Sequence, residues 1–232
     1  MPDESMRSAY AKPGRRITVS IPHETKPASE SRPRARNPGV TLEPVAAAIA
    51  PSATRIVAAR VETPFGGCVV ASTAGAICFL EFVADDDRRA MQRLQSIWPG
   101  VPLRRVPEPD LQLGPLLAGR GTNPGTSRLH LRGTPFQLRV WDALLGIPAG
   151  TRIAYRELAA RIGAPRSVRA VAGAVAANHV AVLVPCHRVV RADGEPGGYR
   201  WGQPLKLALL AAEQAALQPT VNHNAVNQAP GE

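Results

Sequence analysis

The stretch "SVRAVAGAVAANHVAVLVPCHRVVR", residues 167–191, decides how the chain is read. Its first half repeats Val168, Val171 and Val175 at i, i+3 and i+7, the spacing of one helical face. Arg169, Gly173 and Ala176 fall on another face, which Ala170, Ala174 and Ala177 broaden. The predicted helix therefore exposes one long charged side chain on a nearly bald surface. Such a surface either packs tightly against a neighbouring helix or lets another molecule's backbone come close. The second half, from Val180, is a β-branched run that reads as a buried strand. Pro185 ends it, because proline cannot donate to a ladder. Cys186 and His187 follow at once. A cysteine is nucleophilic as thiolate, and a neighbouring base or cation lowers its pKa. Adjacent side chains on a strand point to opposite faces, but a chain broken at Pro185 can turn both into one pocket.

Upstream, "TPFQLRVWDALLGIPAG" predicts a helix with Thr134 as N-cap and Pro135 at its first position. Phe136, Val140, Ala143 and Leu144 form its apolar stripe, and Trp141 and Phe136 read as core. "AYRELAARIG" predicts a second short helix closed by Gly163. Joined through "GAPR" to the helix at Val168, it forms a helix-turn-helix pair. Further upstream, two apolar runs, 67–72 and 75–82, flank "STAG" and predict a β-hairpin. "DDRRAMQRLQSIWPG" places Met91, Leu94 and Ile97 at helical spacing, with Trp98 packing at the helix end. "LHLRGTPF" adds a strand and a turn, and the loop-like "GPLLAGRGTNPGTS" marks a boundary near Asn123. The ends carry no apolar period. Residues 1–51 read as a disordered basic tail and 214–232 as a second tail, leaving a small α/β unit at 52–125 and a mainly helical unit at 126–213.

A net charge of +10 on 232 residues comes almost wholly from arginine, since the only lysines are Lys12, Lys26 and Lys206. Arginine suits phosphate contact, so the balance points to a polyanionic partner, nucleic acid first, or to a solvated arginine-rich surface. Cys68, Cys78 and Cys186 are an odd set without a Cys-x-x-Cys pair. That argues against a disulfide framework and a Cys-rich zinc site, and it fits a reducing, cytoplasmic setting. His23 and His130 read as solvated, and Cys68 and Cys78 as structural. No apolar run approaches the roughly 20 residues of a membrane span, and no signal-peptide core is present at the start.

Taken together, "GTPFQLRVWDALLGIPAG", "AYRELA", "SVRAVAGAVAANHVAVLVPCHRVVRADG" and "GYRWG" resemble the O6-alkylguanine-DNA alkyltransferase family, nearest to its bacterial adaptive-response (Ada) form. The likeness runs from Gly133 to about Glu213, and more weakly back to Arg60. It implies a small ribonuclease H-like α/β sheet followed by a mainly α-helical winged-helix/helix-turn-helix domain. It implies that Cys186 accepts the alkyl group, with His187 as base through a water and Glu213 orienting that histidine. Asn178 falls at the family's hinge asparagine, and Tyr155 at the tyrosine that helps rotate the nucleotide out and protonates the leaving base. Arg169 matches the finger that fills the vacated stack, on a DNA-facing surface with Ala170 and Gly173. Val189 falls where a backbone carbonyl reads the guanine amino group, and Tyr199, Arg200 and Trp201 fall in the loop that closes over the base.

The implied partner is double-stranded DNA carrying O6-alkylguanine, with O4-alkylthymine as a second substrate. The implied protein is a monomer without cofactor, metal, membrane contact or obligate protein partner. The physics is consistent, since a target on the edge of a stacked base must first leave the helix. The thioether product is not reversed, so each molecule works once. Trp201, where some relatives carry a small residue, should narrow the pocket and favour methyl over benzyl. The Ada form's N-terminal zinc-thiolate domain has no counterpart, because residues 1–40 lack cysteine. The alternatives are a non-catalytic binder of alkylated DNA and a helix-turn-helix regulator with an incidental cysteine.

Overall fold

The computed structural model describes residues 40–42, 55–107 and 127–218. The expected boundary near Asn123, His23 and most of both expected tails lie outside the described residues. Strands β2 (Ile56–Thr63), β3 (Gly66–Thr73) and β4 (Ala76–Phe82) form an antiparallel meander. The predicted hairpin is β3–β4, turned by Ala74 and Gly75, both at positive φ. The strand β2, not singled out in the sequence, is joined to β3 by a two-residue turn at Pro64 and Phe65. Helix α1 (Arg88–Ile97) follows, with Trp98 at its C-terminal end. β5 (Leu103–Arg105) pairs parallel to β2, and β6 (Ser127–Leu129) parallel to β4. The outermost strand, β1 (Val40–Leu42), pairs parallel to β6 and corrects the expectation of an unstructured 1–51 at those three residues. The sheet order is β1-β6-β4-β3-β2-β5.

Both faces of this sheet are covered, which is why its strands read as near-continuous apolar runs rather than alternating ones. Ile56, Ala58, Val69, Ala71 and Phe79 pack on Ala90, Leu94 and Trp98 of the α1 side. Cys68, Val70, Ile77 and Leu80 pack on the helical part of the chain. A bulge opposite Ala71 and Ser72 leaves Cys78 without a paired partner residue, so Cys78 and Phe79 both fall on the α1 side. Burial pushes the thiols of Cys68 and Cys78 up to about 12, so both are held as inert neutral groups.

The helical part begins with α2 (Pro135–Leu145). The Thr134 side chain accepts from the Gln137 amide, and the Gln137 side chain accepts from the Thr134 amide, closing a capping box. Its core face is Val140, Trp141, Leu144 and Leu145; Phe136 and Ala143, expected in the stripe, are only half-buried. Strand β7 (Ile153–Ala154) runs directly into α3 (Tyr155–Arg161), and α4 (Val168–Ala176) follows after Gly163 at positive φ. The Trp141 indole donates to the Ala174 carbonyl at 2.9 Å, locking α2 onto α4. A side chain at Gly133 would meet the Trp141 ring at 2.7 Å, so this indole fits only over a glycine. A short 3-10 turn at Cys186–Arg188 leads into β8 (Val189–Val190), parallel to β7. Helix α5 (Gln203–Leu217) closes the described chain.

Three expectations are corrected here. The run from Val180 to Val184 is not a strand: one bridge joins Val180 to Leu80, and a turn follows with Val182 at φ +64°. Helix α5 continues through residues 214–217, which the sequence assigned to the 214–232 tail, and Gln214 donates to the Gly150 carbonyl at 2.6 Å. His130, expected in solvent, is buried.

Candidate active site

Cys186 lies where three segments meet: the 3-10 turn, the junction after α4, and α5. Asn178 organises this place. Its Nδ2 donates to the Val184 carbonyl at 2.9 Å, the Val180 carbonyl at 3.3 Å and Cys186 Sγ at 3.1 Å. Its Oδ1 accepts from the Val180 amide at 2.9 Å. A side chain thus does for the 180–184 turn what a strand ladder would have done. Cys186 is only 4% exposed. Burial raises its thiol pKa, and the Asn178 hydrogen bond and the charge of Lys206 draw it partly back. The Tyr199 hydroxyl is also beside the sulfur but is buried without a partner at hydrogen-bonding geometry.

His187 is fully buried, and its Nε2 lies 2.7 Å from Glu213 Oε1. Burial pushes the Glu213 carboxyl up, but hydrogen bonds and charges from His187 and Arg188 outweigh it and bring the pKa down to about 2. The carboxylate is therefore ionised and can only accept. Nε2 must carry the proton, which leaves Nδ1 as the imidazole's basic nitrogen. That nitrogen is buried with no protein partner. Burial lowers the His187 pKa against the pull of Glu213, so the resting ring is neutral.

The sequence reading missed the rest of this shell. Arg188 Nη2 donates to Glu213 Oε1 at 2.7 Å, its Nε reaches both carboxylate oxygens, and its Nη1 donates to the Ile147 carbonyl. The Gly150 amide donates to Glu213 Oε2 at 2.9 Å. Gly150 has φ +71°, which only glycine adopts without strain. Lys206 was missed as well. It is fully buried, donates to the Val189 carbonyl at 2.6 Å and to that of Pro196, and lies 5.9 Å from the Tyr199 ring centroid. Burial brings its pKa down to about 8. A signal for it existed: a lone lysine amid leucines, in a chain that otherwise uses arginine.

The remaining candidates fall in two groups. Tyr155 opens α3, half-buried, and burial together with nearby Cys186 raises its pKa. The β7–β8 ladder pairs the residues just before Tyr155 with Val189 and Val190. Arg169, Ala170, Gly173 and Ala176 lie exposed on α4, whereas Ala174, expected with them, is buried. A side chain built at Gly173 would meet nothing within 4 Å, so intramolecular packing does not require its smallness. Arg200 turns its guanidinium to the Ala176 carbonyl at the end of α4. The Trp201 ring stands edge-on to Tyr199 at 5.1 Å and to Phe82 at 6.2 Å.

A buried cysteine adjoins a neutral histidine held by an ionised carboxylate, and a helix-turn-helix pair precedes them in the same unit. The family model for the 6-O-methylguanine DNA methyltransferase DNA-binding domain matches residues 135–215. The "Bifunctional transcriptional activator/DNA repair enzyme Ada" of Escherichia coli is 40% identical over 158 residues, covering 67% of this chain and 44% of that protein. The "Methylated-DNA--protein-cysteine methyltransferase" of Mycobacterium tuberculosis is 52% identical over 87 residues, covering 38% of this chain and 53% of that one. The crystal structure of the Mycobacterium tuberculosis O6-methylguanine methyltransferase superposes with a TM-score of 0.59 at 33% identity, over 71% of this chain and 96% of that one. A structure of the same organism's protein in complex with DNA gives 0.57, over 69% and 94%. The chain belongs to the O6-alkylguanine-DNA alkyltransferase family. It spans about half the length of the curated relatives it matches.

Proposed function

We propose that this protein repairs DNA by taking the alkyl group from O6 of guanine, and from O4 of thymine, onto Cys186, once per molecule. The observation that carries this reading is the buried His187, whose Nε2 is held by ionised Glu213 while its basic Nδ1 stays without a protein partner. Nδ1 takes the Cys186 proton through a bridging water. The thiolate attacks the alkyl carbon, the carbon–O6 bond breaks, and the electron pair stays with the base. The Tyr155 hydroxyl protonates that base, and the proton held on His187 returns to the tyrosinate. Burial favours this timing, because it disfavours both resting ions and the ion pair forms only for reaction. The product is a thioether that no nearby group cleaves.

The face of Arg169, Ala170 and Gly173 enters the minor groove, with the arginine in the vacated stack and other arginines on phosphates. Solvent exposure of that face and open space at Gly173 support this reading over tight helix packing. The Val189 carbonyl has a second lone pair to receive the guanine amino group while Lys206 holds the first. The meander, a helix, and then a strand parallel to β2 support a ribonuclease H-like scaffold for the N-terminal unit. We propose that 52–125 and 126–213 are the two units and that the protein acts as a monomer in the cytoplasm. Among the described residues no helix is long and apolar enough to cross a membrane.

The test is incubation with a duplex carrying O6-methylguanine, followed by peptide mass analysis. Methyl on Cys186, lost in Cys186→Ser, is expected; an unmethylated wild type refutes the proposal. Transfer from O6-benzylguanine is expected to be slower than from O6-methylguanine, and equal rates would remove the narrowing role given to Trp201.

A further inference from the structure

Three consecutive residues at the end of β4 reach the segment before Cys186, helix α1 and the Tyr199–Trp201 loop. The Leu80 amide donates to the His179 carbonyl at 2.9 Å, and its carbonyl accepts from the Ala181 amide at 2.8 Å, on either side of the bridge with Val180. Phe82 meets the Trp201 ring, which in turn meets Tyr199. Between them Glu81, only 6% exposed, accepts from Arg93 Nε of α1 at 2.5 Å. The same Arg93 points Nη2 at the Ala177 carbonyl, 3.4 Å away, and Arg200 donates to the carbonyl of Ala176. Burial pushes the Glu81 pKa up, and the charges of Arg93 and Arg200 work against that.

These two carbonyls close α4, and a helix end leaves such groups without intrahelical donors. The negative end of a helix favours cations, yet α4 has no basic residue in its own last turn. Both cations come from elsewhere, one from α1 and one from the loop after Tyr199, and the buried Glu81 carboxylate holds the first of them.

We propose that Glu81, Arg93 and Arg200 form a clamp that fixes the Tyr199–Trp201 loop and the C-terminal end of α4 to the sheet, and so positions the reacting base against Cys186. This rests on the alkyl-transfer reading above, and it makes Arg200 a positioning residue rather than a wall of the pocket. Arg169 sits in the first turn of α4 and these carbonyls at its last, the opposite end of the helix. Loss of the clamp therefore leaves DNA binding intact and misplaces the loop.

The test is the single-turnover rate constant at saturating O6-methylguanine duplex, alongside duplex affinity measured in a Cys186→Ser background. Arg200→Met and Glu81→Gln should each slow transfer about tenfold, below the roughly hundredfold cost of a full 1 Å misplacement, with affinity unchanged. The two substitutions alter net charge in opposite directions, so a simple charge effect on DNA binding would move them apart. Arg200→Lys should restore most of the rate, and the double variant should be no slower than the slower single one. Wild-type rates in both single variants, multiplied losses in the double, or losses confined to affinity would overturn the clamp. Absence of transfer in the wild type would instead refute the repair reading itself.

Discussion

At the scale of single residues, Asn178 carries the most structure per atom. Its replacement by alanine leaves a buried Val180 amide and the Val184 carbonyl without their side-chain partner. Asn178→Ala should cost about 2–3 kcal/mol of unfolding free energy, read as a lower urea midpoint, and should slow transfer as Sγ loses its donor. Gly150 is the next sensitive position. Gly150→Ala forces a β-carbon into φ +71° at the amide that holds Glu213. A loss of about 1–2 kcal/mol is expected, with slower transfer at unchanged DNA affinity. The pH profile follows from His187. Its folded pKa lies below the ordinary 6.5, so the basic Nδ1 survives mild acid. Transfer should hold its neutral-pH rate past pH 6.5 and fall only below that, whereas an exposed histidine base would already be half lost there.

At the scale of elements, local signals succeeded where a local cause sets the structure. Thr134, Pro135 and Gln137 specify the start of α2 by themselves, and Thr134→Ala should cost about 1 kcal/mol in thermal or urea unfolding. The hairpin at Ala74 and Gly75 and the stop at Gly163 were readable for the same reason. The segment before Cys186 was not. A short β-branched run looks like a buried strand, and no glycine or asparagine marks the residue that turns left-handed; Val182 does so instead. Its conformation is imposed from outside, by the Asn178 side chain and by Leu80 of a distant strand. The continuation of α5 likewise depends on Gln214 meeting Gly150, a contact 64 residues apart in sequence. The pairing of His187 with Glu213 was legible through the family likeness, but the partners Arg188, Gly150 and Lys206 needed three dimensions. Arg188 and Lys206 reach backbone carbonyls distant in sequence and Gly150 acts through its own amide, so a lone lysine amid leucines marked Lys206 without saying what it holds.

At the scale of the whole molecule, acid should be the weak point. His179 and His187 are buried, and burial lowers both pKa values, that of His179 to about 4. Glu213 titrates near 2 rather than at 4.5. Groups depressed on folding contribute stability that is present above the unfolded pKa and lost as pH falls through the folded one. Stability should therefore fall slightly from pH 8 to 7 as Lys206 takes its proton in the folded state, decline from about pH 6.5 as the histidines favour the unfolded state, and decline further below 4.5 as Glu213 does. Urea midpoints between pH 8 and 3 will show this, and His179→Phe should flatten the upper part of the curve. Charge acts at the same scale. Residues 1–39 carry eight arginines and lysines against four acids. A chain beginning at Val40 keeps β1 and should bind unmodified DNA more weakly, with a shallower salt dependence.

The borrowed cations at the end of α4 bear on modularity. A helix that supplied its own terminal charge would be a portable cassette, exchangeable between proteins as a continuous segment. This one is not, because Arg93 and Arg200 reach it from distant parts of the chain. Grafting residues 167–178 into a host lacking counterparts of Glu81, Arg93 and Arg200 would transfer the Arg169 surface but leave its last turn unmoored. The transplantable unit is discontinuous: a strand end, one helical arginine and a loop must travel together. Substitutions at these scattered positions should accordingly compensate one another across lineages, though no two of them are neighbours in sequence.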